Sequence, residues 1–195
     1  PMGVHGALME TFHIATLGTL LALILGLPVA LLAAKNITKF KTLNWIAQFI
    51  LVSSRSVNSL IWALLFVAIF GPGAIAGVLA IGFRSIGFVG KLLAEAIEEA
   101  RPGPIEALTS TGASPASVLG KGYWPQVEPS FWSVALFRWD INIRESTVLG
   151  LVGAGGIGLQ LKGSLDTIAW PQVSLILLVI LAAVVLSEWV SAKVR

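Results

Sequence analysis

Three long apolar runs without a charged side chain limit what this chain can fold into. Residues 14–34 and 167–187 each form an uncharged run of 21 residues, and 28 uncharged residues separate Arg55 from Arg84. A transmembrane helix needs about 20 predominantly apolar residues, so each run can cross a bilayer. Only 12% of all residues are charged, whereas soluble domains usually carry about 25%. The sequence therefore predicts an all-α, polytopic membrane protein.

Turn signals divide these runs into separate spans. Gly71-Pro72-Gly73 interrupts the 28-residue run and is typical of a hairpin turn. A soluble helical protein would need helices with one charged face, and these runs have none. Five transmembrane helices are predicted, at residues 14–34, 45–70, 73–96, 128–151 and 167–187.

The basic residues of the loops predict how the chain is oriented in the membrane. Lys35, Lys39 and Lys41 lie between the first two spans, and Lys193 and Arg195 follow the last one. Short cytoplasmic loops carry an excess of lysine and arginine. We therefore expect an outside N-terminus and a cytoplasmic C-terminus. The net charge of +3 is too small to indicate nucleic-acid binding.

A glycine fingerprint follows the fourth span. Gly153, Gly155 and Gly158 have the G-x-G-x-x-G spacing of a dinucleotide-binding turn. That fold also needs an acidic residue about 20 positions further on, and the apolar fifth span occupies that region. We therefore interpret these glycines, with Gly156, as a sharp outer turn between closely packed helices.

Ionisable residues at bilayer depth are the candidate functional residues of the spans. On a helical wheel Arg138, Asn142 and Glu145 share one stripe of the fourth span, whereas Asp140 and Arg144 form an i,i+4 pair on nearly the opposite face. One stripe is expected to face a transport pathway and the other to be a buried structural pair, and the sequence leaves open which is which. The candidate pathway residues are Arg55, Asn58, Arg138, Asn142, Arg144 and Glu145. The polar stretch around Arg55 is either a bend that lines the channel or a site of ordinary helix-to-helix hydrogen bonding.

The excess of positive charge at this depth points to an anionic cargo. Arg55, Arg84, Arg138 and Arg144 outnumber Asp140 and Glu145 by two. The alternative that all of these arginines only hold helices together stays open. An ion-coupled secondary carrier, with Asp140 or Glu145 as a proton relay, is a second functional hypothesis. A membrane enzyme is disfavoured because no nucleophile–base pair or metal-ligand spacing occurs, and no catalytic, cofactor or metal site is expected.

Residues 101–127 form the longest loop and are predicted to contain two short cytoplasmic helices. Pro104 suits a first turn, and Glu106 lies where a helix dipole favours an anion. Gly112 ends this helix, and Ser114 is the N-cap of a second one that begins with Pro115. Gly120 and Gly122 are expected to end the second helix.

The loop resembles the EAA loop of ABC importer permeases, E-A-A-x3-G-x9-I-x-L-P. Glu106, Ala107, Gly112 and Pro125 match at the required spacing, whereas Leu108, Gly122 and Trp124 differ. The stretches TLGTLLALILGLPVALLAAKN, EALTSTGAS and FRWDINIRESTVLGLVGAGGIG extend the likeness over nearly the whole chain. These stretches resemble the membrane subunit of phosphonate importers and of related phosphite and hypophosphite carriers.

The resemblance implies a fold, an assembly and a cargo. Residues 1–195 would be one permease domain of the type I ABC importer core in the cell (inner) membrane. Its partners would be a second copy of itself, two ATPase subunits that bind ATP and Mg, and an external solute-binding protein that delivers a small phosphorus oxyanion. The loop residues that dock on the ATPase would be Glu106, Ala107, Gly112, Ser114 and Pro125.

Overall fold

The computed structural model describes residues 3–194, which form a bundle of helices. In chain order the helices are α1 (Val4–Ala33), α2 (Lys41–Ser56), α3 (Ser59–Phe70), α4 (Ala74–Glu98), α5 (Pro102–Ser110), α6 (Pro115–Val118), α7 (Trp124–Leu149), α8 (Gly156–Asp166) and α9 (Trp170–Val194). A π-helical turn, Leu119–Tyr123, joins α6 to α7, and a 3-10 turn, Gly150–Val152, follows α7. Arg195, part of the expected cytoplasmic C-terminus, lies outside the described residues.

Four of the five predicted spans are single long helices. α1, α4, α7 and α9 overlap most of these four spans, and α1 begins at Val4, earlier than expected. Four helices in the described part of the chain are long and apolar enough to cross a membrane, or five spans if α2 and α3 are counted together. The all-α, multi-span architecture predicted from hydropathy is therefore confirmed.

The second span was expected over residues 45–70, with a bend in its polar part as one of two interpretations, and the structure has the bend. α2 and α3 meet at an angle of 93° across Val57 and Asn58. The side chain of Asn58 accepts a hydrogen bond from the backbone N–H of Leu60 at 3.0 Å and so caps α3. Because an N-cap residue has extended backbone geometry, the cap starts a new helix axis instead of continuing the old one.

Small residues bring α1 and α4 close together at the centre of the bundle. A Cβ added to Gly18 of α1 would lie 2.6 Å from Cγ2 of Ile81, and one added to Gly26 would lie 3.1 Å from Cγ1 of Val89. Gly26 lies further along α1 than Gly18, and Val89 lies further along α4 than Ile81, so the two helices run parallel. Small residues at such positions let membrane helices approach closely, and dispersion contacts then stabilise the pair.

The long loop differs from its predicted form in two respects. α5 begins at Pro102, so Glu106 is its fifth residue and lies beyond the first turn. Gly120 and Gly122 do not end the second helix, because the π-helical turn continues it directly into α7. Gly122 instead provides room for α5: a Cβ there would lie 3.2 Å from Leu108 and 3.4 Å from Ile105.

Candidate functional site

Arg138 of α7 is held in one orientation by a chain of hydrogen bonds across three helices. Its Nε donates to Ser85 Oγ of α4 at 3.1 Å, and Ser85 Oγ donates to Asn142 Oδ1 at 3.1 Å. Asn142 Nδ2 then donates to Thr19 Oγ1 of α1 at 2.8 Å. Arg138 is only 4% exposed and Asn142 is fully buried. The predicted stripe of Arg138, Asn142 and Glu145 thus faces α1 and α4.

Arg84 of α4 lies beside this stripe of α7. Together they form a cluster of two cations and one anion. Oε1 of Glu145 lies 3.7 Å from Arg84 Nε and 3.6 Å from Arg138 Nη2. The guanidinium carbons of Arg84 and Arg138 lie 5.6 and 4.4 Å from the ring centroid of Phe88. We call Arg84, Arg138, Glu145 and Phe88 the arginine cluster; its ionisable groups leave one excess positive charge.

The bend between α2 and α3 packs beside this cluster. Ser54 Oγ donates to the carbonyl of Phe83 and accepts from the backbone N–H of Gly87 at 3.0 Å. A Cβ added to Gly87 would lie 2.9 Å from the Cβ of Arg55. α2 therefore crosses α4 at Arg55, within one turn of Arg84. Asn58, which caps α3, is exposed at the bend. The structure therefore places the predicted residue Arg55 against the stretch of α4 that carries Arg84 and Phe88, and Asn58 at the adjacent bend.

The Asp140–Arg144 pair lies on another side of α7, against α9. Arg144 Nη2 donates to Asp140 Oδ2 at 3.0 Å, and it also lies 3.4 Å from Glu188 Oε2. Ser187 Oγ donates to Asp140 Oδ1 at 3.0 Å. Asp140 is buried, whereas the side chains of Arg144 and Glu188 are 46% and 65% exposed. The predicted pair is confirmed, but only its carboxylate is buried.

The two charged groups border one open face of α7. At about 100° per residue, Arg144 and Val148 point the same way, and both are exposed. Glu145 lies one residue step to one side of this direction, and Asp140 lies on the other side. We call the surface carrying Arg144 and Val148 the α7 face; it runs from the arginine cluster to Glu188 of α9.

The predicted coupling residues lie on the surface of the loop. Glu106, Ala107 and Pro125 are exposed. Gly112 has φ = +77° and separates α5 from α6, as the sequence predicted. Ser114 Oγ accepts the backbone N–H of Ser117 at 3.3 Å and is the predicted N-cap of α6.

The glycine turn is buried, and neighbouring side chains already use its N–H groups. Gly153, Gly155 and Gly156 have positive φ. The N–H of Gly156 donates to Glu10 Oε1 at 3.2 Å, and the N–H of Ile157 donates to Thr11 Oγ1 at 2.8 Å. A Cβ on Gly158 would collide with the carbonyl of Thr147. The turn therefore packs helices and presents no phosphate cradle at these positions.

Sequence reasoning left several contributors out of the candidate site. Phe88 follows Arg84 by four residues, a spacing that puts both on one helix face, so this pairing was detectable. Thr19 and Ser85 are isolated polar residues in apolar helices, which is a weak signal. Glu188 was missed because it directly follows the charge-free run that defined the fifth span.

Comparison with known proteins gives consistent matches over most of the chain. Residues 26–193 match the family model described as "Binding-protein-dependent transport system inner membrane component". The phosphite transport system permease protein PtxC of Stutzerimonas stutzeri is 45% identical over 96% of this chain and 68% of its own length. The putative phosphite transport system permease protein HtxC of the same organism is 41% identical, over 95% of this chain and 66% of its own length.

A third relative is longer, and the solved structures are more distant. The phosphate-import permease protein PhnE of Mycolicibacterium smegmatis is 41% identical over 96% of this chain, which spans only 35% of that relative. An inward-facing structure of the MetNI methionine ABC transporter superposes with a TM-score of 0.79 at 21% identity, over 95% of this chain and 91% of that chain. This structural likeness supports the fold alone.

Proposed function

The chain belongs to the family of binding-protein-dependent transport system inner membrane components, and we propose that it passes a small phosphorus oxyanion inward across the cell membrane. It is a multi-pass permease of the ABC importer type and not an enzyme. Two relatives are named for phosphite transport and one for phosphate import. Phosphonate, phosphite and phosphate share a tetrahedral phosphorus atom that carries negatively charged oxygens, and this common chemistry defines the proposed cargo.

The observation that carries the cargo proposal is the arginine cluster. Its two guanidinium groups face a single carboxylate, so one positive charge is left unbalanced. Charged groups at bilayer depth are expensive and usually mark a substrate pathway. Guanidinium N–H groups are matched to the oxygens of phosphate-like anions. A fixed positive site there would replace part of the hydration that an oxyanion loses on entering the membrane.

The route of the cargo is proposed to follow the α7 face and the α2–α3 bend. Irregular backbone at membrane depth is tolerated only where it is buried in protein or faces a water-filled cavity. Val57 and Asn58 form such an interruption, and Asn58 is exposed. The exposed Arg144 and Glu188 also need cover other than lipid. Two copies with their α7 faces turned toward each other would enclose both polar regions in one pathway.

The remaining partners follow from the importer class. An external solute-binding protein would deliver the cargo, and two ATPase subunits, which bind ATP and Mg, would drive the cycle. In the proposed orientation the N-terminus is outside and the C-terminus is cytoplasmic, so residues 101–127 face the ATPases. The exposed Glu106, Ala107 and Pro125 are then available for docking, and Gly112 and Ser114 shape the loop.

The energy source separates this proposal from an ion-coupled carrier. We would purify the intact complex, reconstitute it in vesicles and measure uptake of labelled phosphite in the presence of the binding protein. Uptake should require ATP on the cytoplasmic side and should not respond to an imposed proton gradient. Gradient-driven uptake without ATP would contradict the importer mechanism.

A further inference from the structure

Glu145 has an unusual position between the two guanidinium groups of the arginine cluster. Its Oε1 lies 3.7 Å from Arg84 Nε and 3.6 Å from Arg138 Nη2. Charge-assisted hydrogen bonds between such groups are normally about 2.7–2.9 Å long. Arg84 Nε, Arg138 Nη2 and Glu145 Oε2 are buried and make no hydrogen bond. The carboxylate therefore offsets one of the two positive charges, and the three groups leave one another's hydrogen-bonding capacity unsatisfied.

Nothing in the packing of the cluster explains why its buried polar atoms lack hydrogen bonds. A buried, unsatisfied charged donor destabilises a protein, and buried ion pairs normally compensate with close geometry. Arg138 cannot simply rotate toward Glu145, because its Nε is tied to Ser85 and its guanidinium lies over Phe88. The side chain of Arg138 is 5% exposed, and its Nη2 is directed toward Glu145. Arg138 Nη2 is thus held in place as a donor for an anion, and the Glu145 carboxylate at 3.6 Å does not satisfy it.

Glu145 differs from Arg138 in its freedom to move. Its side chain is 19% exposed and borders the α7 face. Arg138, by contrast, is hydrogen-bonded to Ser85 of α4, and Ser85 is linked through Asn142 to α1. No hydrogen bond in the structure holds Oε2 in place. The carboxylate can therefore leave the guanidinium groups toward the α7 face while Arg138 stays where it is.

We propose that Glu145 is a resident counter-ion that occupies the oxyanion site between transport events and is displaced from Arg84 and Arg138 by the cargo. This inference rests on the proposed function, because it assigns the cargo to the same cluster. Competition from the tethered carboxylate lowers the affinity of the site for a free oxyanion. A transport site needs such weakness, since an ion must leave as readily as it enters. The empty transporter is also spared two neighbouring cations, one of them buried, with no anion beside them.

The test compares Glu145→Gln with wild type in the purified permease–ATPase complex, with phosphite and inorganic phosphate as probes. Anion affinity is obtained by fitting the rise of the unfolding midpoint against anion concentration c, because a ligand that binds the native state stabilises it by RT ln(1 + c/Kd). Removal of the competing charge should lower the fitted Kd about tenfold or more. Uptake by the reconstituted complex should become slower at the same time, because release is impeded.

Glu95→Gln is the matched control. Glu95 is also a glutamate paired with a cation at close to 4 Å, but its partner is Lys91 and its side chain is half exposed. Affinity and uptake should both equal those of the wild type. A uniform effect of lost negative charge would appear in both variants, whereas displacement at the cluster is specific to Glu145.

Unchanged or weakened anion affinity in Glu145→Gln would overturn the counter-ion role. If this variant does not assemble, Glu145→Asp replaces it: the shorter carboxylate competes less well, so affinity should rise by a smaller factor, and unchanged affinity would again overturn the proposal. Arg138→Gln separates a failure of the proposed pathway from a failure of the counter-ion role. If Arg138→Gln transports normally, the proposed pathway is wrong; if it fails to transport but Glu145→Gln binds like wild type, only the counter-ion role is wrong.

Discussion

Asp140 and Arg144 make the closest ion pair among residues 3–194, yet Arg144 is the less protected partner. Asp140 is buried and is held by Ser187 as well, whereas Arg144 is half exposed on the α7 face. Loss of the arginine would therefore leave a buried carboxylate with one neutral donor. Loss of both charges would leave an amide that can still accept from Ser187.

From this asymmetry we expect Arg144→Gln to lower the free energy of unfolding by about 1–3 kcal/mol. Asp140→Asn in the same chain should restore part of the loss, because no unpaired buried charge remains. Thermal unfolding in detergent measures both effects. Glu188→Gln is the control, since it removes only the exposed outer partner. A double variant no more stable than Arg144→Gln would show that the pair is not the source of the effect.

Residue-level prediction succeeded where the chemistry is local. Arg138, Asn142 and Glu145 repeat at helical spacing, and so do Asp140 and Arg144, so both stripes follow from helix geometry alone. The meeting of Arg84 with Glu145 depends on how α4 packs against α7. The spacing of residues along one helix contains no information on which residue of a distant helix it will meet. The full cluster was therefore beyond the reach of the sequence pattern.

At the level of whole helices, the bend at Asn58 was one of two interpretations of the polar stretch around Arg55, and the π-helical turn was not predicted. Hydropathy reports how much chain is apolar, but it contains no information on the direction of a helix axis. The Asn58 cap was a readable signal, since asparagine is a favoured N-cap residue. Gly120 and Gly122 led to the wrong expectation that a helix ends there. Neither has positive φ, and a glycine without positive φ need not end a helix.

The turn between α5 and α6 depends on the backbone of Gly112 and not on free space around it. No heavy atom lies within 4 Å of a Cβ built there, so the constraint is the φ of +77° alone. Even Gly112→Ala should therefore be strained, by about 1–2 kcal/mol for a left-handed residue. We expect less ATPase to co-purify at normal membrane abundance. Gly103→Ala, which is equally open but has no positive φ, should behave like the wild type; equal loss in both variants would refute the argument.

The contact of α2 with α4 depends on Gly87 in a different way. A Cβ there would lie 2.6 Å from the backbone carbonyl oxygen of Leu51 and 2.8 Å from the backbone nitrogen of Arg55. Backbone atoms cannot rotate away, so Gly87→Ala should destabilise the fold by about 1–3 kcal/mol through overpacking. Gly163→Ala is the control, because nothing lies within 4 Å of its Cβ and alanine favours helix. Equal unfolding midpoints for the two variants would contradict this packing.

For the assembled transporter, the proposed homodimer requires that the α7 faces of two copies meet. The chain has no cysteine, so single cysteines can be introduced without background. Val148→Cys, on the α7 face, should form a disulfide-linked dimer in membranes on mild oxidation. Leu178→Cys, on the outward apolar side of α9, should not. Dimers only through residue 178 would place the seam on α9 and separate it from the charged groups.

The central claim is that a fixed positive charge on Arg138 helps a phosphorus oxyanion through the membrane. The most direct test is ATP-driven uptake of labelled phosphite by vesicles that contain Arg138→Gln, with Lys91→Gln as a control that removes a lysine charge outside the cluster. We predict that uptake by Arg138→Gln falls about tenfold or more, while complex abundance, ATPase stoichiometry and ligand binding by the external protein stay unchanged. Normal uptake by Arg138→Gln at normal abundance would contradict the account and leave Arg138 a packing residue.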